Sequence, residues 1–279
     1  MPGPIARWLL LLPAGLLYVF LFLASGAYFF LISFWSVKSF KLAPILTLKN
    51  YATAFTTHAM SGLRTLGLAF AIALATTIIG FLYAWIIRFR AGKLGDALLF
   101  IALVTLFGGY LMKIYAWKTM LGSDGAINSA LLWAGIVDQP VAAMLYSPFA
   151  VVLTLSHFLL PFAILPMVAA LRGIGDAEVE SARDLGASGW VVLRDVIIPR
   201  AQNGIMAAFA LCFMISVGDY FTPMLVGGKM SMVGQLIAPQ FGTFFNWPLG
   251  AAMSFSILAC ALVVLILVNA LVGRIGRPA

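Results

Sequence analysis

Apolar stretches of about 20 residues recur from the beginning of this chain to its end. An α-helix rises about 1.5 Å per residue, so each stretch is long enough to cross a hydrocarbon core about 30 Å thick. Only 9% of the residues are charged, against about 25% in an average soluble domain. The stretches also lack the alternation of polar and apolar residues that a lipid-facing strand requires. We therefore predict an all-α polytopic membrane protein.

We predict six spans in a single transmembrane domain over residues 1–279. Their approximate boundaries are 8–34, 65–88, 97–119, 147–171, 203–222 and 250–272. The first span resembles a signal peptide, because Arg7 precedes it and the run ASGA resembles a cleavage site. Its apolar run is much longer than the roughly 7 to 15 residues of a signal-peptide core, which indicates a retained signal anchor.

Basic residues near the ends of the spans predict the orientation in the membrane. With the N-terminus in the cytoplasm, ten of the seventeen Lys and Arg residues lie on the cytoplasmic side. They are Arg7, Arg88, Arg90, Lys93, Arg172, Arg183, Arg194, Arg200, Arg274 and Arg277. Cytoplasmic loops usually carry an excess of Lys and Arg, so both termini are predicted to be cytoplasmic. The loop between the first two spans carries four basic residues on the outer side, and long loops follow this rule less closely.

Charge distribution and motifs argue against nucleic-acid binding and against catalysis. The formal net charge is +8, but the basic residues are scattered among the span ends instead of forming one face. Cys212 and Cys260 lie inside apolar stretches and offer neither a disulfide framework nor metal-ligand spacing. The sequence contains no GxxxxGK[ST] phosphate-binding loop, nucleophile–base pair or metal-ligand cluster. We expect no catalytic residue, bound cofactor or metal on this chain, and without the phosphate-binding loop the chain cannot bind and hydrolyse ATP by that route alone.

A charged loop, residues 172–202, separates the fourth and fifth predicted spans. It contains the run DAEVESARDLGASGWVVLRD, whose first acidic residues suit the positive end of a helix dipole. Gly186 permits a sharp turn, and Pro199 can cap the entry to the fifth span because the first turn of a helix does not need its N–H. We predict a short helix, a turn and a second short helix at the membrane surface. On composition alone, a solvated connector is an equally good interpretation.

The order of residues in this charged loop resembles the EAA loop in the membrane subunits of binding-protein-dependent ABC importers. In that family an acid-Ala-Ala triplet is followed four residues later by glycine and then by an Ile-x-Leu-Pro ending. Here the triplet is Glu180, Ser181 and Ala182, the glycine is Gly186, and the ending is VIIP at residues 196–199. The departures are Ser at the second position of the triplet, and Val and Ile in place of Ile and Leu.

The resemblance implies a MetI-like permease fold with a cytoplasmic coupling helix, which seats in a groove of an ATPase subunit. The residues implied to couple to the ATPase are Glu180, Ser181, Ala182, Arg183, Asp184, Leu185, Gly186, Ala187 and Pro199. The implied partners are a second homologous permease, two ATPase subunits that use ATP and Mg²⁺, and a periplasmic binding protein. The implied location is a bacterial cytoplasmic membrane, and the implied mechanism is alternating access.

Other segments resemble the first permease subunit of spermidine/putrescine importers and of their opine and cationic-amine relatives. They are IYAWKTMLGSDGAINSALLWAGIVDQP, SPFAVVLTLSHFLLPFAILPM, ARDLGAS, GDYFTPMLVGG and NWPLGAA. The resemblance implies that a polyamine or a related amine is the substrate. Permeases for sulfate, molybdate and ferric iron share much of this architecture. An ion-coupled secondary carrier and a structural membrane protein are the alternatives from other functional classes.

Ionisable and aromatic residues within the spans are candidates for the substrate pathway. A charge at the centre of a membrane helix costs about 2.5 to 3.5 kcal/mol on insertion scales and usually faces the bundle interior. The candidates are Asp219, Tyr220, Lys113, Tyr115 and Trp117. Asp219 and Tyr220 can hold an ammonium group by charge and by a cation–π contact. Lys113 would repel a polyamine unless it pairs with Asp219 or favours release, and the alternative role of Asp219 is to cap the fifth span or pair with Lys113 or Lys118.

Overall fold

The computed structural model describes residues 12–13, 15–38 and 41–275. In this part of the chain, five helices are long and apolar enough to cross a membrane, and a bent pair of helices forms a sixth candidate span. The predicted all-α membrane architecture is therefore confirmed. Arg7, Arg277 and the predicted beginning of the first span lie outside the described residues.

Long helices alternate with short ones along the described chain. The first elements are α1 (Gly15–Ile32), β1 (Ser36–Lys38), β2 (Lys41–Ala43), α2 (Lys49–Thr56), α3 (Ala59–Phe89), α4 (Gly95–Val104), α5 (Tyr110–Leu121) and α6 (Ala126–Trp133). The later elements are α7 (Pro148–Arg172), α8 (Asp176–Asp184), α9 (Gly189–Val192), α10 (Ile198–Gly218), α11 (Phe221–Val226), α12 (Val233–Gly242) and α13 (Trp247–Ile275). Short 3₁₀ turns lie at Gly92–Leu94, Thr105–Phe107 and Ala142–Met144.

The chain divides into two compact units. The first consists of Met1–Met60 and Leu236–Cys260, and the second consists of Ser61–Gln235 and Ala261–Ala279. The whole charged loop and all candidates for the substrate pathway belong to the second unit. The description of the chain as one transmembrane domain stays a prediction.

In the first unit, a short β-hairpin follows α1. Strands β1 and β2 are antiparallel, with Val37 opposite Leu42. In α2, Asn50 donates hydrogen bonds from Nδ2 to the carbonyl oxygens of Ser33 and Trp35, at 2.9 and 2.8 Å. These bonds hold α2 against the chain as it leaves α1, and they satisfy two carbonyl groups just past the helix end.

In the second unit, α7 packs closely against α3 and α10. A β-carbon added at Gly204 of α10 would lie 2.5 Å from Cβ of Ala170 and 2.7 Å from the carbonyl oxygen of Pro166. A β-carbon added at Gly80 of α3 would lie 2.9 Å from Cβ of Ala163. Small residues allow membrane helices to approach this closely. Glycine at these two positions therefore lets α3 and α10 contact α7 backbone to backbone.

The third predicted span is broken, so the prediction of one continuous helix over 97–119 is wrong. The segments Gly92–Phe107 and Tyr110–Trp133 meet at an angle of 96°. Between them, Gly108 and Gly109 leave helical geometry, with ψ of 120° and 140°. Glycine loses more conformational freedom in a helix than any other residue, so two in succession favour a break.

The fifth span begins earlier and ends earlier than the predicted 203–222. Helix α9 continues through a π-helical segment, Leu193–Ile197, into α10, which gives one helix of 30 residues over Gly189–Gly218. Pro199 therefore lies within a continuous helix instead of at its entry. Proline lacks an N–H and its ring crowds the carbonyl of the residue four positions before it. The widened segment just ahead of Pro199 accommodates that loss.

Candidate coupling and substrate sites

The charged loop folds as the predicted short helix and turn, but the second helical run is the beginning of the long helix over Gly189–Gly218 and not a separate short helix. Helix α8 ends where Gly186 takes a φ of +84°, a conformation that glycine adopts without strain. The N–H of Gly186 donates to the carbonyl of Arg183 at 2.8 Å, and the N–H of Ala187 donates to the carbonyl of Ala182 at 3.1 Å. These two bonds form a Schellman motif that satisfies the last carbonyl groups of α8. The predicted sharp turn at Gly186 is confirmed.

Ion pairs connect this loop to the ends of the long helices. Arg88, in the last turn of α3, donates to the carboxylate of Asp176 at 2.6 Å and to the carbonyl of Ile174 at 2.9 Å. Arg200 of α10 donates two hydrogen bonds to the carboxylate of Glu178, at 2.9 and 2.8 Å. The bonds from Arg200 hold the pKa of Glu178 below its ordinary value. Helix α8 is thus held to α3 and α10 by paired charges.

The residues that the resemblance assigns to coupling are mostly exposed. Exposed members are Glu180, Ser181, Arg183, Asp184, Leu185 and Gly186, and half-buried members are Ala182, Ala187 and Pro199. Val179 is buried, so α8 faces the protein with one side and leaves the other side open. Leu185 is 87% exposed and Trp190, which the motif did not single out, is 66% exposed. Both large apolar side chains lie within six residues of each other on the exposed side of the charged loop, and exposed apolar patches on a protein surface often serve as interaction surfaces.

Asp219 lies directly after the last residue of α10, where the chain turns into α11. The hydroxyl of Tyr110 donates to Oδ1 of Asp219 and lies 2.8 Å from Oγ1 of Thr222. The other carboxylate oxygen, Oδ2, is buried and has no hydrogen-bond partner among the described residues. Within that part of the chain, Asp219 forms no ion pair with Lys113 or Lys118. The predicted alternative, a pair with one of these lysines, is not observed.

Lys113 lies close to the same group of residues. Its Nζ lies 5.3 Å from the centroid of the Phe158 ring, in a cation–π contact, and the Phe158 ring packs 4.8 Å from that of Tyr110. Nζ is buried and lacks a hydrogen-bond partner in the described chain. Tyr110 donates a hydrogen bond to Asp219, and the ring of Phe158 contacts the ammonium group of Lys113. The two packed aromatic rings therefore lie between the acidic and the basic side chain. We call Tyr110, Lys113, Phe158, Asp219 and Thr222 the Asp219 site.

The other three pathway candidates are placed less centrally. The ring of Tyr220 packs against that of Phe221 at a tilt of 33°, with centroids 4.0 Å apart. Trp117 donates from Nε1 to Nδ1 of His157 at 3.2 Å, and Tyr115 is 52% exposed. The sequence analysis did not identify Tyr110, Phe158 or Thr222, the other three residues of the Asp219 site. Tyr110 could have been found because it follows the glycine pair Gly108 and Gly109, which predicts a break in the span. No feature of the neighbouring sequence distinguishes Phe158 or Thr222.

Known proteins show similarity to most of this chain. The family model of the binding-protein-dependent transport system inner membrane component matches residues 97–277. The spermidine/putrescine transport system permease protein PotB of Salmonella typhimurium (strain SL1344) is 33% identical over 215 residues, which cover 76% of this chain and 75% of PotB. PotB of Escherichia coli (strain K12) is 34% identical over 196 residues, 70% of this chain and 71% of that protein.

A solved structure shares the fold. It is the crystal structure of a bacterial alginate ABC transporter in complex with an alginate pentasaccharide-bound periplasmic protein. One of its chains matches this protein with a TM-score of 0.75, covering 98% of this chain and 96% of that chain. The two sequences are 18% identical, so the likeness concerns the fold alone.

Proposed function

This chain belongs to the family of binding-protein-dependent transport system inner membrane components, and we propose that it imports polyamines or related cationic amines at the expense of ATP. Family membership makes it a multi-pass permease subunit of an inner membrane. The amine substrate rests on the two relatives described above as spermidine/putrescine permeases, which are 33% and 34% identical over 76% and 70% of this chain. The observation that carries the site is Oδ2 of Asp219, which has no hydrogen-bond partner among the residues that the structure describes, while Tyr110 bonds the other oxygen of the same carboxylate.

We propose that the charged loop docks on an ATPase partner. The exposed side chains of Leu185 and Trp190 offer an apolar anchor for a groove on that partner. The proposed complex contains a second homologous permease, two ATPase subunits that bind ATP and Mg²⁺, and a periplasmic binding protein. Both termini of this chain would lie in the cytoplasm, on the same side as the charged loop.

The long helix that ends at the Asp219 site offers a route for transmitting motion. It begins at Gly189, next to the Gly186 turn, and ends at Gly218, directly before Asp219. Thirty helical residues extend over about 45 Å. The Glu178–Arg200 pair ties α8 to this helix, so a displacement of α8 would move the other end of the helix as well. We propose that closure of the ATPase reaches the Asp219 site by this route.

At the Asp219 site, an ammonium group would bind to Oδ2 of the carboxylate. A charge-assisted hydrogen bond is about twice as strong as a neutral one, and the surrounding aromatic rings add cation–π attraction. Tyr110 donates to the other carboxylate oxygen and so holds the carboxylate in place for the substrate. The acid serves here as a binding group and no covalent chemistry is involved.

The test is ATP hydrolysis by the complex that co-purifies with the tagged chain, reconstituted with its binding protein. Putrescine, spermidine, an opine, sulfate and ferric iron would be added separately. We expect stimulation by amines alone. Stimulation by sulfate or iron would contradict the proposed substrate but leave the assignment as an ATP-driven importer intact. Transport by a chain that co-purifies with no ATPase would instead indicate an ion-coupled carrier.

A further inference from the structure

We propose that Lys113 and the N-terminal end of α5 bind an acidic group of the substrate, so that the preferred amine also carries a carboxylate or a similar anion. This inference rests on the proposed function and narrows its substrate class. It distinguishes amines that carry an acid from plain polyamines, which carry none. Three observations support it, and they concern the break in the third span, the position of Lys113 and the unpaired oxygen of Asp219.

The break in the third span creates a helix N-terminus inside a membrane-spanning region. Helix α5 starts at Tyr110, and its cap residue Gly109 has no side chain to accept from the first N–H groups. The first bond within the helix is donated by the N–H of Lys113 to the carbonyl of Gly109 at 3.2 Å. The preceding N–H groups and the helix dipole give this end a partial positive charge, which attracts anions. Broken membrane helices bind anionic substrate groups in this way.

Lys113 adds a full positive charge to the same helix end. A lysine in the first turn of a helix opposes the dipole, so its position is unfavourable unless an anion is present. Its Nζ is buried and lacks a hydrogen-bond partner in the described chain, where it makes a cation–π contact with Phe158. A buried ammonium group without a partner carries a large desolvation cost. An acidic group on the substrate would meet both the ammonium and the helix end.

Asp219 provides the complementary half of the site. Its buried Oδ2 lacks a hydrogen-bond partner among the described residues, as does Nζ of Lys113. The two groups are linked through Tyr110, which bonds Asp219 and packs on Phe158, the ring that faces Lys113. A polyamine could satisfy the carboxylate only, and its other ammonium groups would be repelled by Lys113. A substrate with an ammonium and an acidic group could satisfy both.

Putrescine and ornithine form a matched pair of probes, because ornithine is putrescine with an added α-carboxylate. Equilibrium binding of the two labelled ligands would be measured on the purified transporter complex without its binding protein, which would otherwise select the ligand first. The variants are Lys113→Met and, as a control that removes the same charge from the same helix, Lys118→Met. In the structure Lys118 lies over the ring of Tyr146, at 5.8 Å from its centroid.

We expect the wild-type complex to bind ornithine about tenfold or more tightly than putrescine, as one charge-assisted contact allows. Lys113→Met should remove that preference, because it weakens the binding of ornithine and leaves the binding of putrescine unchanged or stronger. Lys118→Met should keep the preference, and Lys113→Arg should restore most of it. A melting temperature close to that of the wild-type complex would confirm that each variant is assembled.

Three results would overturn the inference. The first is equal binding of the two ligands by the wild-type complex, a comparison that needs no variant. The second is an equal loss of affinity for both ligands in Lys113→Met, which would show that Lys113 supports the structure of the site and does not select the ligand. The third is a complex that binds neither amine and responds to sulfate or iron, which would remove the proposed function as well.

Discussion

In the charged loop, the acids Asp176 and Glu178 each accept hydrogen bonds from an arginine at 2.6 to 2.9 Å, whereas at the Asp219 site the buried atoms Oδ2 of Asp219 and Nζ of Lys113 have no hydrogen-bond partner among the described residues. The Glu178–Arg200 pair is exposed, and in the Asp176–Arg88 pair the acid is exposed and the arginine half-buried, so each pair contributes little to stability and mainly sets the position of α8. The buried atoms at the Asp219 site carry a desolvation cost, which the hydrogen bond from Tyr110 and the cation–π contact with Phe158 offset only in part. The difference indicates that one region is built to hold its shape and the other to receive a ligand.

The largest effect is expected from removing the buried acid. Asp219→Asn keeps the shape of the side chain and removes the charge that would attract an ammonium group. We expect amine binding to fall by about 100-fold, the upper range for a hydrogen bond to a charged group. The same change should raise the melting temperature of the complex, because a buried and incompletely paired charge is lost. A variant that binds amines normally, or that melts earlier, would contradict this interpretation.

A smaller but still large effect is expected at the Gly186 turn. Its φ of +84° disfavours any residue with a β-carbon, at a cost of about 1 to 2 kcal/mol, although a β-carbon would meet no atom within 4 Å. Gly186→Asp should therefore leave the chain in the membrane and lower ATP-driven uptake by about tenfold, through a misplaced turn. Loss of Glu180 should act in the same direction.

Gly189→Ala is the matched control for the turn. A β-carbon there also meets no atom within 4 Å, and its φ lies outside the left-handed region. Uptake by this variant should stay near the wild-type level. If both glycine variants lost uptake equally, the effect would be due to the added side chain and not to the backbone conformation at Gly186.

A moderate effect is expected from the exposed apolar side chains of the loop. Trp190→Ala should lower the amount of co-purified ATPase by several-fold or more, because large aromatic side chains often dominate an interface. Trp133→Ala removes an equally large side chain that is 91% exposed at the end of α6, outside the charged loop. Quantitative blotting of the purified complexes would compare the two. If both changes left the ATPase content unchanged, docking through Trp190 would be wrong.

The smallest effect is expected from the Glu178–Arg200 pair. Because Arg200 lowers the pKa of Glu178, the pair stabilises the fold above the ordinary pKa of a glutamate, about 4.3, and loses that effect as the pH falls through the lowered value. Melting temperatures of wild type and Glu178→Gln should differ slightly at pH 7 and converge towards pH 3. A constant difference across that range would assign the effect to packing.

The charged loop could be predicted from sequence because its determinants are local. The acids at its start, Gly186 and the proline that follows lie within about 25 residues, and each acts on its own stretch of backbone. The Asp219 site could be predicted only in part. Asp219 and Lys113 were singled out as charges in apolar surroundings. Tyr110 lies on the same helix as Lys113 but carries no charge to mark it, and Phe158 comes from α7, more than 45 residues after Tyr110 in the sequence.

Two features of the spans were mispredicted for a similar reason. Hydropathy averages over a window, so it joined α4 and α5 across Gly108 and Gly109, although two glycines in succession mark a break. It also started the fifth span after Pro199, because the charged residues before it lower the apolar average. The structure continues the helix through these residues, so that it begins at Gly189 and runs unbroken to Gly218.

The most direct test of the relation between the two regions is to measure ATP hydrolysis and amine uptake together, in proteoliposomes that contain the binding protein. Wild type, Gly186→Asp and Asp219→Asn would be compared. We expect Gly186→Asp to hydrolyse ATP with little uptake, and Asp219→Asn to lose the stimulation of hydrolysis by amine. If both variants kept the wild-type ratio of uptake to hydrolysis, neither the coupling role of the charged loop nor the binding role of Asp219 would hold.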